Sequence, residues 1–363
     1  MKNIYIVDEY INSLKNGIGT FLNELLFCLK GSEHNLNLFV FNADAEEFNI
    51  VEEDGIKKYL FPIFKNGHFW GHSKIIEKFL RLYIPDSADN IFFLNHSPCA
   101  DFIKSIKTVR PLSKVIFTIH DFGWTNLLMG DIKSYKRILK DEKGTQGDPV
   151  IDSYEYDKKT YDLADGIICL SKDTYCVVQD VYKINRNKLF HIPNGHRDIN
   201  VRVNTDKDKI KKMLRLSSED KILLSVGRPT RPKGVYDLII AMNKVLTHYP
   251  QTKLVIVGDS NEVNLKEVIK ATSSIASSVV FTGQIDKNEL KKWFAAADIG
   301  IVSSYYEQCS YTGIEMMMFG LPIVASDGFG VKNMFVADIN AKIAKIGNRK
   351  KRMNIKIIYP QLS

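Results

Sequence analysis

The chain has 363 residues, of which 45% are hydrophobic and 25% are charged, and its formal net charge is +8. The length favours two hydrophobic cores, the sequence lacks the run of about 20 apolar residues that spans a bilayer, and Asp8 and Glu9 stand where a signal peptide would be apolar. We therefore expect a two-domain cytoplasmic protein whose positive charge suits anionic partners.

The N-terminal half alternates short apolar runs with segments of helical periodicity. Residues 4–7 are β-branched or aromatic and predict a buried strand. A loop ending in Gly17 and Gly19 follows, and residues 20–29 then carry apolar side chains at helical spacing. Further strands are predicted at 37–41, 91–94, 115–119 and 166–170, and the segment 189–193 closes this half.

A second series begins after an Asn-Gly turn at 194–195 and a polar stretch at 200–209, which reads as a linker. Strands are predicted at 222–226, 253–257, 279–282, 299–302 and 322–325, with helices at 236–248 and 287–297. Such alternation predicts an α/β protein of two Rossmann-like, doubly wound domains facing a central cleft. The predicted limits are 1–198 and 199–342, followed by a basic tail at 343–363.

The segment after the strand at 299–302 has the densest set of reactive side chains. Glu307 and Glu315 stand eight positions apart, so a loop entering a helix explains them better than one helical face. Thr312 and Glu315 fit a capping box, and Gly320 fits the C′ position of a helix at 313–319. The start of this helix suits a diphosphate, although Glu315 could equally serve only as a cap.

A second candidate lies at 227–234, between a predicted strand and a predicted helix. It starts with Gly227 and contains Arg228 and Lys233, which can donate charge-assisted hydrogen bonds to phosphate oxygens. Each cation alone would more often be a solvated surface group. Together at the carboxyl end of a strand they predict a diphosphate site.

In the first half, His120 and Asp121 follow the strand at 115–119. The imidazole can exchange a proton with a substrate hydroxyl, with Asp121 orienting it, or it can be satisfied by local backbone groups. Residues 95–98 repeat this arrangement more weakly. A dinucleotide fingerprint near Gly17 fails, because its third glycine position holds Leu22.

These motifs, taken in order, resemble the retaining GT-B glycosyltransferases of glycosyltransferase family 4. The resemblance covers roughly residues 3–334 and depends on the order of several individually weak motifs. They are the glycine loop at 17–19, the strand end at 118–121, Ser171 with Lys172, the turn at 192–195, the loop at 227–234, and Glu307 with Glu315.

The resemblance implies a role for each matching residue. Arg228 and Lys233 would bind the donor diphosphate, Glu315 would hold the ribose hydroxyls, Glu307 would contact the sugar ring, and His120 would lie beside the reacting sugar. Other positions of the motifs would complete the donor site through close backbone approach or helix-start contacts: Gly17, Gly19, Gly227, Ser310, Tyr311 and Thr312.

The activity implied is transfer of a sugar, with retention, from a UDP- or GDP-linked donor to an unidentified acceptor, without a metal or other cofactor. We expect no nucleic acid partner, and the basic charge is compatible with a peripheral contact at the inner membrane face. The sequence departs from the family pattern at 308–311, where glycines are usual, and at 343–363, where relatives usually continue with further helices. These departures keep open the alternative of a nucleotide-sugar-binding protein without turnover. A sugar-nucleotide epimerase is the other alternative, and it would require a different set of acid and base residues.

Overall fold

Two α/β units follow one another along the chain in the computed structural model. The first comprises Met1–Gly195 and the second His196–Ser363. The structure describes residues 1–9, 17–63, 72–95, 99–141, 148–198, 206–259 and 262–346.

The described strands of the first unit form one sheet in the order β3-β4-β2-β1-β5-β6-β7-β8. Neighbouring strands are parallel except for the antiparallel pair β3 and β4. β-Branched and aromatic residues dominate the central strands because both faces of a parallel sheet are buried. The strands are β1 Asn3–Glu9, β2 Asn35–Ala43, β3 Asn49–Glu53, β4 Ile56–Pro62, β5 Asn90–Leu94, β6 Lys114–Ile119, β7 Gly166–Cys169 and β8 Leu189–His191.

Helices connect these strands, and side chains of Asp131, Asp148 and Ser171 cap the starts of three of them. The Ser171 hydroxyl accepts from the Thr174 amide, which explains why Ser171 stands immediately after a strand. The helices are α1 Gly17–Leu29, α2 His72–Tyr83, α3 Ala100–Val109, α4 Gly123–Leu128, α5 Ile132–Lys140, α6 Pro149–Leu163 and α7 Lys172–Asp180, and a short 3-10 helix covers Arg186–Lys188.

The second unit has one parallel sheet in the order β11-β10-β9-β12-β13-β14. Leu223 and Leu224 of one strand belong to different hydrophobic clusters, so both faces of the sheet are covered. The strands are β9 Lys221–Val226, β10 Thr252–Val257, β11 Val279–Gly283, β12 Ile299–Val302, β13 Ile323–Ser326 and β14 Lys342–Ala344. The helices are α8 Lys207–Met213, α9 Val235–His248, α10 Glu262–Thr272, α11 Lys287–Ala296, α12 Tyr311–Met318 and α13 Val331–Met334, with a 3-10 helix at Ser273–Ser278.

The strand order of the second unit determines where its functional loops lie. β9 and β12 are parallel neighbours, and the order of the strands along the chain reverses between them. Ligands bind open α/β sheets beyond the carboxyl ends of the strands at such a reversal. The loops that follow β9 and β12, at 227–234 and 303–310, therefore meet at one edge of the sheet.

Every segment predicted as a strand is a strand, with ends within two residues of the prediction. Three strands lie outside the predicted segments: β3, β4 and β14, the last of which crosses the predicted boundary after residue 342 into the first residues assigned to the tail. The predicted glycine loop is wrong at Gly17 and Gly19, since both lie in the first turn of α1.

The predicted linker at 200–209 is wrong at its end, because Asp206 accepts from the Asp208 amide and caps α8. Residues 200–205 of this linker and residues 347–363 of the predicted tail lie outside the described residues. The same is true of His96, Ser97 and Pro98 in the weaker motif at 95–98.

Candidate functional site

The loop at 227–234 leaves β9 and enters α9 with a glycine at each end. Both glycines have positive φ, 143° at Gly227 and 68° at Gly234. A Cβ atom at position 234 would lie 2.0 Å from the carbonyl oxygen of Ser303. This position therefore requires glycine both for its backbone conformation and for the close approach of the next loop.

Lys233 lies at the end of this loop and reaches Glu307 in the loop after β12. Its Nζ is 2.5 Å from Oε1 of Glu307, and the same oxygen accepts from the Ser304 hydroxyl at 2.8 Å. The Lys233 and Glu307 side chains are 32% and 15% exposed. The structure thus brings together two residues predicted to contact the diphosphate and the sugar.

Arg228 differs from Lys233 in its surroundings. The residue is exposed, and its guanidinium forms neither a hydrogen bond nor an ion pair with the residues that the structure describes. The N–H donors of the Arg228 guanidinium are therefore available to an anion at the carboxyl end of β9.

Lys233→Met is expected to lower the free energy of unfolding by about 1 to 3 kcal/mol, because it leaves the partly buried Glu307 carboxylate without its cation. Urea unfolding measures the change. The double variant Lys233→Met with Glu307→Gln should regain most of the loss, since it also removes the charge left behind. A double variant as unstable as Lys233→Met alone would contradict this account.

The backbone after β12 is held by hydrogen bonds to the loop at 227–234. The Tyr305 amide donates to the Pro232 carbonyl at 2.8 Å, and the Ser303 hydroxyl donates to the Lys233 carbonyl at 2.7 Å. The Tyr305 hydroxyl donates to Asp237 in α9. These bonds fix the position of the loop that carries Glu307.

The turn after β13 holds the same segment from another direction. The Ser326 hydroxyl donates to the Ser304 carbonyl, and the Glu307 amide donates to the Phe329 carbonyl at 2.9 Å. A Cβ atom at Gly328 would lie 2.6 Å from the carbonyl oxygens of both Ser304 and Tyr305. Residues 303–307 are therefore packed between two turns.

The cap of α12 differs from the prediction. Ser310 is the N-cap, and its hydroxyl accepts from the Gly313 amide at 3.2 Å. The predicted capping box of Thr312 with Glu315 is wrong, because Thr312 lies inside the first turn and its hydroxyl lies 3.0 Å from that of Ser310. Glu315 is consequently not occupied as a reciprocal cap.

The predicted end of this helix is confirmed. Gly320 has φ 67°, and its amide donates to the Met317 carbonyl at 2.9 Å. The Leu321 amide donates to the Met316 carbonyl at 3.1 Å, which completes a Schellman motif.

The side chains at 308, 310 and 311 turn into the unit. Gln308, Ser310 and Tyr311 are buried, with exposures of 5%, 9% and 8%. Gln308 and Ser310, which stand where the resemblance implied glycines, therefore have their side chains largely inside the protein.

Glu315 has a neighbour that the sequence did not suggest. Nε2 of His196 lies 3.7 Å from Oε1 of Glu315, and the His196 ring packs edge-on against Tyr311 with centroids 5.9 Å apart. Asn194 and Gly195 indicated only a turn here, and nothing in the pattern marked the next residue as part of a site.

His120 follows β6 in the first unit and packs against α1. Its ring meets Phe21 edge-to-face with centroids 4.7 Å apart, which places it against the helix that begins with Gly17 and Gly19. Asp121 accepts from the Phe122 amide and the Thr125 hydroxyl at 2.8 and 2.7 Å, at the start of α4. Its orienting role toward His120 stays a prediction.

A buried carboxyl lies behind this strand end. Asp157 of α6 accepts from the Tyr182 hydroxyl at 2.8 Å, and the Tyr135 hydroxyl donates to Tyr182 at 2.9 Å. Burial raises the pKa of Asp157 to about 7, although the hydrogen bond from Tyr182 opposes the shift.

This shift predicts a pH-dependent stability. The folded protein binds a proton at Asp157 more tightly than an unfolded chain with a pKa of 3.8, so the stabilising contribution is complete below about pH 4 and lost as pH rises to about 7. Asp157→Asn should remove a decline on the order of 2 to 4 kcal/mol over this range, measured by urea unfolding at several pH values. Asp152→Asn, an exposed change on the same helix, should leave the decline in place, and an unchanged profile in Asp157→Asn would contradict the assignment.

Within the ranges given above, no group of three or more His, Cys, Asp or Glu side chains could hold a metal ion. In the same ranges, no helix is both long and apolar enough to cross a membrane.

Comparison with solved structures shows the fold. Sucrose-phosphate synthase from Thermosynechococcus elongatus matches with a TM-score of 0.74 at 17% identity, covering 100% of this chain and 89% of that one. HepE from Anabaena, solved in complex with UDP and glucose, matches with a TM-score of 0.72 at 16% identity over 100% and 90% of the two chains. The two units have the fold of GT-B glycosyltransferases, as predicted.

Curated relatives match parts of the sequence. An uncharacterized glycosyltransferase of Methanocaldococcus jannaschii is 28% identical over 177 residues, which are 48% of this chain and 45% of the relative. Alpha-monoglucosyldiacylglycerol synthase of Streptococcus pneumoniae is 31% identical over 166 residues, 44% of this chain and 37% of that protein. The chain thus spans less than half the length of these relatives.

Family matches account for both halves. Residues 206–358 match the family described as Glycosyl transferases group 1. Residues 15–197, half of the chain, match the family described as Glycosyltransferase Family 4. The chain therefore belongs to glycosyltransferase family 4.

Proposed function

We propose that this protein transfers a sugar from a nucleoside-diphosphate donor to an acceptor hydroxyl, retains the anomeric configuration and needs no metal ion. The observation that carries the proposal is the pair of Lys233 and Glu307 at the edge where the loops after β9 and β12 meet, with the exposed Arg228 on the same loop as Lys233. Cations there suit a diphosphate, and a carboxylate there suits sugar hydroxyls.

The reaction exchanges one bond of the anomeric carbon for another. The bond to the diphosphate oxygen breaks, the acceptor oxygen bonds to the same face of the sugar, and the acceptor proton passes to a donor phosphate oxygen. Negative charge then grows on the departing diphosphate. Arg228, Lys233 and the start of α12 stabilise that charge, which removes the need for a metal ion or an enzymic nucleophile.

Lys233 and Glu307 contact different parts of the donor. Lys233 faces the diphosphate and Glu307 faces the sugar, and each holds the other in place before the donor binds. Such preorganisation lowers the cost of arranging both groups around the donor. His120 of the first unit acts beside the reacting sugar, with its ring supported by Phe21.

The donor is a UDP- or GDP-linked sugar. Support comes from HepE, which has been solved with UDP and with UDP-glucose. Glu315 accepts hydrogen bonds from the ribose hydroxyls of this donor. Acceptor contacts come from the first unit, whose loops differ most between proteins of one fold.

The test begins with thermal unfolding in the presence of UDP, GDP and ADP, since a ligand that binds the folded protein raises its apparent stability. Labelled sugars linked to the stabilising nucleotide are then tested for transfer or hydrolysis, with and without EDTA. We expect release of nucleoside diphosphate at the same rate in both conditions. Loss of activity in EDTA would overturn metal independence, binding without release would identify a binding protein, and an isomerised donor would identify an epimerase.

A further inference from the structure

His196 begins the second unit, and its side chain is buried although the residues on either side of it are exposed. Gly195, Arg197 and Asp198 are exposed, whereas the His196 side chain is only 7% exposed. Burying a polar ring costs free energy unless its nitrogen atoms find partners within the protein. The contacts of this ring are therefore informative.

The ring nitrogens have different partners. Nδ1 lies 2.9 Å from the Arg197 carbonyl oxygen, and since a carbonyl can only accept, Nδ1 carries a hydrogen there. Nε2 faces Oε1 of Glu315 at 3.7 Å, and it attracts this carboxylate oxygen when the ring carries a hydrogen on both nitrogens. Backbone contact on one nitrogen and ring packing against Tyr311 fix the direction in which the other nitrogen points.

Glu315 is the side chain that this nitrogen can restrain. It lies in the fifth position of α12, is 19% exposed and is not used as a cap of its own helix. A glutamate side chain has several rotatable bonds, and its freedom must be lost when both ribose hydroxyls are bound. A neighbour that restrains one carboxylate oxygen before the nucleotide binds lowers the entropy cost of binding.

We propose that His196 is a positioning residue for Glu315 and thereby strengthens recognition of the ribose hydroxyls of the donor nucleotide. The inference rests on the proposed function, because it assumes that Glu315 binds the ribose. His196 acts through Glu315 on a ribonucleoside diphosphate, and it makes no direct contact with the reacting atoms.

The experiment compares the affinity of a nucleoside diphosphate with that of its 2′,3′-dideoxy analogue by titration calorimetry. The probe is whichever of UDP and GDP stabilises the protein. We expect wild type to prefer the ribonucleotide at least tenfold. His196→Phe keeps the ring against Tyr311 but lacks both nitrogens, and it should weaken the ribonucleotide severalfold to tenfold while leaving the dideoxy analogue unchanged.

Two further variants separate positioning from folding. The amide nitrogen of His196→Gln can occupy the place of Nε2, so this variant should regain most of the preference even where His196→Phe lowers the unfolding temperature. His196→Phe combined with Glu315→Gln should discriminate no worse than Glu315→Gln alone. His191→Phe, which changes an exposed histidine, is the matched control and should behave as wild type.

The outcomes are distinct. If His196→Phe keeps the full preference while Glu315→Gln loses it, the inference is overturned and the proposed function stands. If wild type binds neither nucleotide, both are overturned. A preference that falls in His196→Phe, returns in His196→Gln and is absent from Glu315→Gln supports the inference.

Discussion

Arg228→Ala is expected to lower the turnover of sugar transfer by about a hundredfold or more. Removing one preorganised donor to a developing negative charge typically costs ~3 to 4 kcal/mol of transition-state stabilisation. The Arg228 side chain is exposed and has no ion pair or hydrogen bond within the described ranges, so stability should change by less than about 0.5 kcal/mol. Steady-state kinetics and urea unfolding of the same preparation measure both quantities.

Arg231→Ala supplies the matched control. Arg231 lies three residues further along the same loop and pairs with Glu267 at 3.4 Å on the surface. Exposed ion pairs of this kind contribute roughly 0 to 1 kcal/mol to the free energy of unfolding. The partner of Arg231 lies on α10, not at the edge that carries Glu307. Turnover should stay near that of wild type in Arg231→Ala, and equal losses in the two variants would mean that net charge, not position, matters.

Gly234→Ala is expected to disrupt the site and the unit around it. Alanine at a φ of 68° costs about 1 to 2 kcal/mol by itself, and its Cβ would stand 2.0 Å from the Ser303 carbonyl oxygen. The Ser303 carbonyl belongs to the backbone and cannot rotate away as a flexible side chain can. The loops carrying Lys233 and Glu307 must therefore separate. We expect an unfolding free energy lower by about 3 kcal/mol or more and loss of donor binding.

Gly283→Ala isolates the steric part of this effect. Gly283 has nearly the same φ, 69°, but a Cβ atom there would meet nothing within 4 Å. The control should therefore show only the backbone cost of about 1 to 2 kcal/mol and should bind donor normally. If both variants lose the same stability, the contact with Ser303 does not decide the need for glycine at 234.

The sequence predicted the strands well because buried parallel strands are short, continuous apolar runs bounded by turns. The hairpin of β3 and β4 was missed for the opposite reason. Its residues are partly exposed and mix charged with apolar side chains, so the strand signal is weak and pairing with β2 decides the structure.

Helix starts were predicted less well than helix ends. Ser310 and Thr312 are both good N-caps, and sequence preference alone cannot choose between residues two positions apart. The start of α1 was misplaced because Gly17 and Gly19 are poor helix formers, yet both lie in the first turn of the helix. The end of α12 was predicted correctly because a glycine with positive φ is nearly obligatory there.

The candidate site could be predicted as a set of residues but not as a set of contacts. Arg228, Lys233, Glu307 and Glu315 carry recognisable charges at strand and helix ends. The pairing of Lys233 with Glu307 spans 74 positions, and such a distance in sequence is closed only by the adjacency of β9 and β12. His196 gave no signal, because one histidine in a polar turn is ordinarily a surface residue.

The pairing of Lys233 with Glu307 also bears on how ionic strength affects the protein. A lysine already neutralised by a carboxylate adds little to the long-range attraction of a diphosphate, and among the described residues of this edge Arg228 is the cation left without a counter-charge. Dissolved salt screens charge–charge attraction over about 10 Å at 0.1 M. Donor affinity should accordingly fall only gently as potassium chloride is added, and far less than in a site where two uncompensated cations face the solvent.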